Sequence, residues 1–344
     1  MTWSHPAHPG TLEERLSEKE LCPEDLLAGQ EAAFALDIAR LQARRTEFVA
    51  VDCPCCAGAD ARLAFSKFGF EFARCVDCGT IYMTPRPSRS LMAAYYASSE
   101  NYAYWAKHIF PASEAARREK IHKPWLARVI EYCERHETAR GTLVEIGPGF
   151  GTFAALANAT GAFGRVVAVE PTPEMAAACR TRGVEVIEKR IEDITDELGT
   201  VDVLVSFEVI EHLFAPRDFL AQCARLVRPG GLLVLSCPNG QGFDIAMLGA
   251  KALAVDAEHV NLFNPASLAR LVAVHGFAIL EVTTPGRLDA EFVREAALKG
   301  EIALDPFLNR VLVEEWDRLG WPFQQFLAGQ GLSSHMWLAA RRQR

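Results

Sequence analysis

Two stretches carry residue types whose spacing permits chemistry. The first is a pair of cysteine knuckles, Cys53-x2-Cys56 in CPCC and Cys75-x2-Cys78 in CVDC, with 18 residues between them. Four thiolates at this spacing make a complete tetrahedral set for zinc, and a filled set leaves no open position for a reaction. The expected role is therefore structural. A register through Cys55 would leave one residue between ligands, so Cys55 is set aside. A redox iron site could use the same four ligands, but nothing in the sequence supplies an electron-transfer partner. Cys22, Cys133, Cys179, Cys223 and Cys237 lie in helix or strand contexts and read as core residues.

The second stretch is LVEIGPGFGTF at 143–153, an apolar run leading into Gly147, Gly149 and Gly151. Glycines between a strand and a helix let a ligand approach the backbone, where free N–H groups face it. A dinucleotide fingerprint needs G-x-G-x-x-G, and here Thr152 stands at its sixth position. Glu145 at the strand end is poorly placed beside a pyrophosphate and well placed for an ammonium group. Glu170, in VVAVEP, can accept hydrogen bonds from both hydroxyls of a ribose. A third stretch, YYASSENYAYWAKHIF at 95–110, is aromatic on several faces. Tyr95, Tyr96, Tyr102 and Trp105 are candidates to cap an acceptor, with packing of a helical lid as the plainer alternative.

The elements that position these residues follow from periodicity. TLVEI, RVVAV, VEVIE, VDVLVSF and GLLVLSC are strand candidates, separated by helical stretches such as TPEMAAACRTRG and PRDFLAQCARLV. That alternation implies a parallel sheet covered on both faces. Thr172 and Asn264 fit N-caps, Pro173 and Pro265 the first helical positions, and Gly183 and Gly276 the stops. FAILEVTT and SSHMWLAARR add two strands around a helical insertion at 287–330. Upstream, LAFSKFGFEFARC suggests a short hairpin, Pro23 to about Arg45 a helix, and Thr11 with Glu14 a capping box.

The motifs LVEIGPGFGTF, VEP, FEVIEHL and RPGGLLVLSCPN, in that order, resemble those of class I S-adenosylmethionine-dependent methyltransferases. The resemblance covers roughly 141–284 and the final strand. It implies an α/β fold with a seven-stranded Rossmann-like sheet whose last strand is antiparallel. It implies that Gly147, Gly149 and Gly151 line the methionine portion and ribose, that Glu145 helps hold the methionine ammonium, and that Glu170 binds the ribose diol. Ile191 and Glu192 would flank the adenine, and Phe207 and Glu208 would lie beside the cofactor, with core packing as the alternative for Phe207. The cysteine knuckles ahead of such a core are similar to the zinc ribbon of bacterial methyltransferases acting on sugars and natural products. Among these are nucleotide-linked deoxysugar C-methyltransferases. Those carry a further C-terminal α/β domain, whereas this sequence ends with the core's last strand, so the acceptor stays open.

Methyl transfer is an in-line displacement at a sulfonium carbon, so the protein must position the acceptor and remove its proton. Of nine histidines, His212 in FEVIEHL and His259 in AVDAEHV are the candidate bases. In the related sugar enzymes a Glu-His pair supplies the base, which Glu258-His259 matches, and Glu258 would favour the charged imidazole. Asp244, Asp256 and Glu258 lie near one another, but no spacing fixes them as a magnesium site.

The expected organisation is a helical segment at 1–50, a zinc ribbon at 51–87, a helical cap at 88–140 and the core at 141–344. Two further readings compete. One is an NAD-dependent dehydrogenase on the same strand–loop–helix geometry. The other is a zinc-ribbon binding module on a degenerate core. A net charge of −8 opposes a general nucleic-acid binder. Without a signal peptide or a long apolar run, the expectation is a cytoplasmic protein with no membrane span. Its partner is expected to be a small acceptor, nucleotide-linked or lipid-linked sugars included. The oligomeric state is not readable.

Overall fold

The computed structural model describes residues 15–344. The proposed capping box at Thr11 and Glu14 falls outside them. The first described helix, Glu18–Leu21, instead has its capping box at Ser17 and Glu20.

Seven strands form the central sheet: β1 Thr142–Ile146, β2 Arg165–Val169, β3 Glu185–Ile187, β4 Val201–Phe207, β5 Val227–Pro238, β6 Phe277–Thr283 and β7 His335–Arg342. Their order is β6-β7-β5-β4-β1-β2-β3. β1 to β5 run parallel, while β7 is antiparallel to both β5 and β6. The strands are Val- and Leu-rich because both faces are covered. Val203, Leu204 and Val205 are fully buried, as are Leu232 to Leu235. The chain winds outward from β1 to β3 and then returns beside β1 as β4. This reversal opens a crevice at the carboxyl ends of β1 and β4, where α/β sheets bind ligands.

Asn264 caps helix Pro265–Val274 through a side-chain bond from Ser267 N–H, and Gly276 closes it at φ +82°. Thr172 precedes helix Pro173–Thr181, although its side chain makes no capping bond. The 287–330 region is helical, chiefly Asp289–Leu298 and Trp316–Gly329. Buried Gln324 joins these two helices by accepting from Ala290 N–H and donating to Asp289 and the Gly286 carbonyl.

Ahead of the core, helix Glu24–Ala43 packs on helix Glu100–Tyr104. Buried Asp37 accepts from Ser99 Oγ at 2.7 Å and from the backbone N–H groups of Glu100 and Asn101, so it clamps the start of the second helix. From there the chain stays helical to Arg135, passing through wide turns at Trp105–Ile109 and Arg118–His122.

The hairpin pairs Ala61–Lys67 with Phe70–Cys75, and Ile81–Met83 follows as a third strand. The fourth strand of this small sheet is Asn261–Leu262, which comes from the core region. The junction is polar and specific. Buried Arg86 donates to the Met83 carbonyl and to Asn261 Oδ1, and Asn261 donates to the Leu213 carbonyl at 2.7 Å. Among the described residues, no helix is long and apolar enough to cross a membrane.

Candidate active site

The glycine loop joins β1 to helix Thr152–Thr160, and Gly147, Gly149 and Gly151 all have positive φ, +68°, +54° and +74°. A Cβ on Gly147 would lie 2.6 Å from Val209, and one on Gly151 would lie 2.8 Å from Cys179 Sγ. At Gly149 nothing stands within 4 Å, so a side chain there would meet open space. Phe150 packs against Phe110 at 4.3 Å between ring centroids, so the helical cap touches the loop.

Glu145 is buried at the end of β1, and its Oε2 accepts from Ala154 N–H at 3.0 Å. Burial pushes its carboxyl up to about 8, against that hydrogen bond, and Glu170 adds to the rise. Glu170 stands one strand away at the end of β2, also buried. Its Oε1 accepts from Thr172 N–H at 2.8 Å, and burial again raises its pKa. Ile191 and Glu192 lie in the turn Ile191–Asp193 beyond β3, with Ile191 buried.

Phe207 sits in an aromatic core with Trp125 at 4.7 Å, Phe153 at 4.9 Å and Trp337 at 5.3 Å. Such pairs each add about 0.5–1.5 kcal/mol beyond the area they bury. The packing alternative therefore describes its surroundings. Glu208 has φ +53°, uncommon for a residue with a side chain. It accepts from Ser236 Oγ at 2.6 Å and from His335 Nε2 at 3.0 Å. A cavity of about 230 Å³ opens here, lined by Trp125, Arg128, Glu208, Asp244, Arg287 and His335.

Behind Glu208 lie Glu211, His212 and His259, each contributing one polar side-chain atom to a group spanning no more than 4.8 Å. His259 Nδ1 bears the hydrogen, since it donates to the Ala254 carbonyl at 2.9 Å, and Asp256 Oδ2 is 3.2 Å away. Burial opposes charge on this ring, but Asp256, the Ala254 carbonyl and Glu258 together raise its pKa. His212 goes the other way, held well below the usual histidine range by burial and by His259. The expected Glu258–His259 contact is replaced. Glu258 turns away to accept from Tyr95 Oη at 2.5 Å and Asn101 Nδ2 at 3.0 Å, and Asp256 takes the imidazole. Asp256 reaches it because its Oδ1 also accepts from the backbone N–H groups of Glu258 and His259, folding the loop into a tight turn.

The aromatic run divides. Tyr95 is buried on Glu258, and Tyr96 packs edge-on to Tyr95, Tyr102 and His212. Trp105 packs on Phe110, the residue that meets the glycine loop. None of the four tyrosine and tryptophan candidates lines the 230 Å³ cavity. That wall is Trp125 and His335, stacked at 5.8 Å. Sequence reasoning missed Trp125 and His335 as this wall, and weighed Asp256 only as a magnesium ligand and not as the partner of His259. Asp256, three residues before His259, carries the one local signal, an Asp able to fold its own loop.

The four cysteines Cys53, Cys56, Cys75 and Cys78 bring their sulfurs within 4.8 Å of one another. Two cross-knuckle pairs stand at 3.5 Å, against the roughly 3.8 Å that a tetrahedral Zn–S length of about 2.3 Å implies. Both knuckles close alike: Ala57 N–H bonds the Cys53 carbonyl and Gly79 N–H the Cys75 carbonyl, each from positive φ. Cys55 points elsewhere, to the Ser267 carbonyl.

The strand order and crevice are those of the α/β methyltransferase fold. Residues 116–282, a little under half of the chain, match the family model described as "Methyltransferase domain". Similar curated proteins include the ubiquinone biosynthesis O-methyltransferase of Xanthomonas oryzae pv. oryzae (strain PXO99A), 30% identical over 35% of this chain and 53% of that one. A "Probable S-adenosylmethionine-dependent methyltransferase" of Mycobacterium tuberculosis (strain CDC 1551 / Oshkosh) is 33% identical over 33% of this chain and 40% of its own. The chain thus spans about half or less of these relatives' length. Among solved structures, a putative sarcosine dimethylglycine methyltransferase from Galdieria sulphuraria is 16% identical, covers 69% of this chain and 88% of its own, and has a TM-score of 0.45. Residues 116–282 are thus similar to methyltransferase domains, S-adenosylmethionine-dependent ones among them.

Proposed function

We propose that this protein transfers a methyl group from S-adenosylmethionine to a small acceptor, a sugar or sugar-derived metabolite, with zinc held at the cysteine knuckles. The observation that supports it most is Glu145 and Glu170 at the ends of adjacent strands beside a loop open at Gly149. A buried carboxylate beside Gly147–Gly151 suits the methionine ammonium, and one a strand away suits a ribose diol. The acceptor would enter the cavity at Glu208 and His335, whose size suits a small polar molecule with an aromatic wall at Trp125. Proton removal is assigned to the histidine pair behind Glu208, although neither ring lines that cavity. His259, its Nδ1–H held by the Ala254 carbonyl, presents Nε2 as the accepting atom, and Asp256 is the positioning residue. The S–CH3 bond breaks as the bond to the acceptor atom forms, and S-adenosylhomocysteine leaves.

The domain organisation of helical segment, zinc ribbon, cap and core belongs to the same proposal. The experiment that tests it follows isotopically labelled methyl from S-adenosylmethionine into fractionated extract of the source organism. Label in nucleotide sugars or small polar metabolites is the expected result. Label only in lipid-soluble quinones or macromolecules would overturn the sugar reading.

A further inference from the structure

The helical insertion at 287–330 meets the 230 Å³ cavity at a buried polar junction. Asp244, in helix Phe243–Leu248 after β5, is only 3% exposed and lines the cavity. Its Oδ1 accepts from Ile245 N–H and from Ser334 Oγ. The same serine donates its backbone N–H to Asp289, the first residue of helix Asp289–Leu298, so Ser334 bridges the two carboxyls. Asp289 is saturated, since Ser333 Oγ and Gln324 Nε2 bond its other oxygen. Asp244 is not: its Oδ2 has no hydrogen-bond partner among the described residues, and the residue faces the cavity. The junction is built without slack. A Cβ on Gly242 would run into Ser334, and one on Gly286 into Ser333. Arg128 and Lys120, on the wall of the same cavity, are already matched by Glu281 and Glu20.

We infer that Asp244 is a specificity-determining residue of the acceptor cavity, where its Oδ2 hydrogen-bonds a hydroxyl of the acceptor other than the atom that receives the methyl group. This deepens the methyl-transfer reading and rests on it. A buried carboxyl with an unfilled hydrogen-bonding position is costly, and a ligand group that fills the position removes the cost. A hydroxyl suits it best. Burial and Asp289 push the Asp244 carboxyl up to about 7, so both of its forms are populated near neutrality. A hydroxyl donates to the ionised form and accepts from the protonated one, whereas an ammonium serves only the first and a carbonyl only the second. Trp125 supplies an aromatic wall for the apolar face of a ring that carries this hydroxyl. The acceptor class is therefore a polyhydroxylated ring. Ser334, Asp289 and Gln324 are positioning residues, and through them the insertion aims Asp244 into the cavity.

The test measures labelled methyl transfer by the full chain against increasing amounts of the small polar fraction of source-organism extract. Asp244→Ala should raise the half-saturating amount of that fraction about 10- to 100-fold, as loss of a hydrogen bond to a charged group does, and by more than it lowers the maximal rate. Asp244→Asn keeps the group that Ser334 and Ile245 N–H hold. It should shift half-saturation in the same direction by a smaller factor, and it keeps the question answerable if the alanine variant does not fold. Titration with S-adenosylhomocysteine, run on the same samples, reads the fold and the cofactor site separately. The labelled product of the wild type should carry a free hydroxyl. Unchanged half-saturation in both variants, a fall in maximal rate alone, or a labelled product without a hydroxyl would overturn the role of Asp244 and leave the methyl-transfer reading standing. Label from the wild type only in lipid or macromolecule, or in no fraction, would overturn the sugar reading and this assignment with it.

Discussion

At the scale of single residues, the two buried carboxylates beside the glycine loop carry the sharpest expectations. Glu170→Ala removes the acceptor that the proposal assigns to the ribose diol. Charged hydrogen bonds contribute about 1.5–3 kcal/mol, so affinity for S-adenosylhomocysteine should fall about 10- to 100-fold, read by calorimetry. Circular dichroism should be unchanged, and unaltered affinity would displace the ribose from β2. Glu145 predicts a pH dependence. Its carboxyl sits at about 8 in the folded protein against an ordinary 4.5. The folded state therefore binds the proton more tightly, so its stabilising effect is complete below the unfolded value and is lost as pH rises through about 8. A bound ammonium favours the ionised carboxylate, so cofactor affinity should increase over the upper part of that range. Glu145→Gln should flatten both profiles, and a wild-type profile in that variant would show that another group titrates. Much at this scale was legible: the glycines and Glu145 announce themselves because a strand end and a turn fix where they stand. The partner of His259 was not, because neighbours in sequence need not face each other. Glu258 turns to the cap while Asp256, folding its own loop, reaches the ring.

At the scale of elements, the loop after β1 separates fold from binding. Gly151→Ala would place a methyl group 2.8 Å from Cys179 Sγ and 3.2 Å from Cys179 Cα, at φ +74°. Left-handed strain of about 1–2 kcal/mol and overpacking of about 1–3 kcal/mol should combine to roughly 2–5 kcal/mol of lost stability in denaturant titrations. Gly149→Ala meets no protein atom, so its cost should stay near the strain alone, about 1–2 kcal/mol, while cofactor affinity drops because the methyl group occupies the open face. Equal stability losses in the two variants would contradict this division. Strands and helices of the sheet were readable from Val- and Leu-rich runs and from caps such as Asn264 and Pro265. The pairing of Asn261–Leu262 with Ile81–Met83 was not, because two residues carry no periodicity and their partner lies far back in the chain.

At the scale of the molecule, that pairing makes the cysteine-bearing sheet part of the methyltransferase fold. Asn264 Nδ2 donates to the Cys78 carbonyl and Arg217 to the Cys55 carbonyl, so the knuckles rest on core helices. Removing zinc with a chelator should therefore lower the melting temperature of the whole molecule in one cooperative transition. Cys75→Ser should do the same. Two separated transitions by calorimetry would mean that the knuckles fold as an independent unit. The same pairing has a consequence for synthesis on the ribosome. The segment at 81–83 emerges long before its edge partner at 261–262 exists. At about 5–20 residues per second the wait lasts on the order of 10–40 s. For that interval the nascent chain carries an open strand edge beside four free thiols. On the proposed zinc reading, early capture of the metal would shield those thiols before translation reaches the strand that completes the sheet.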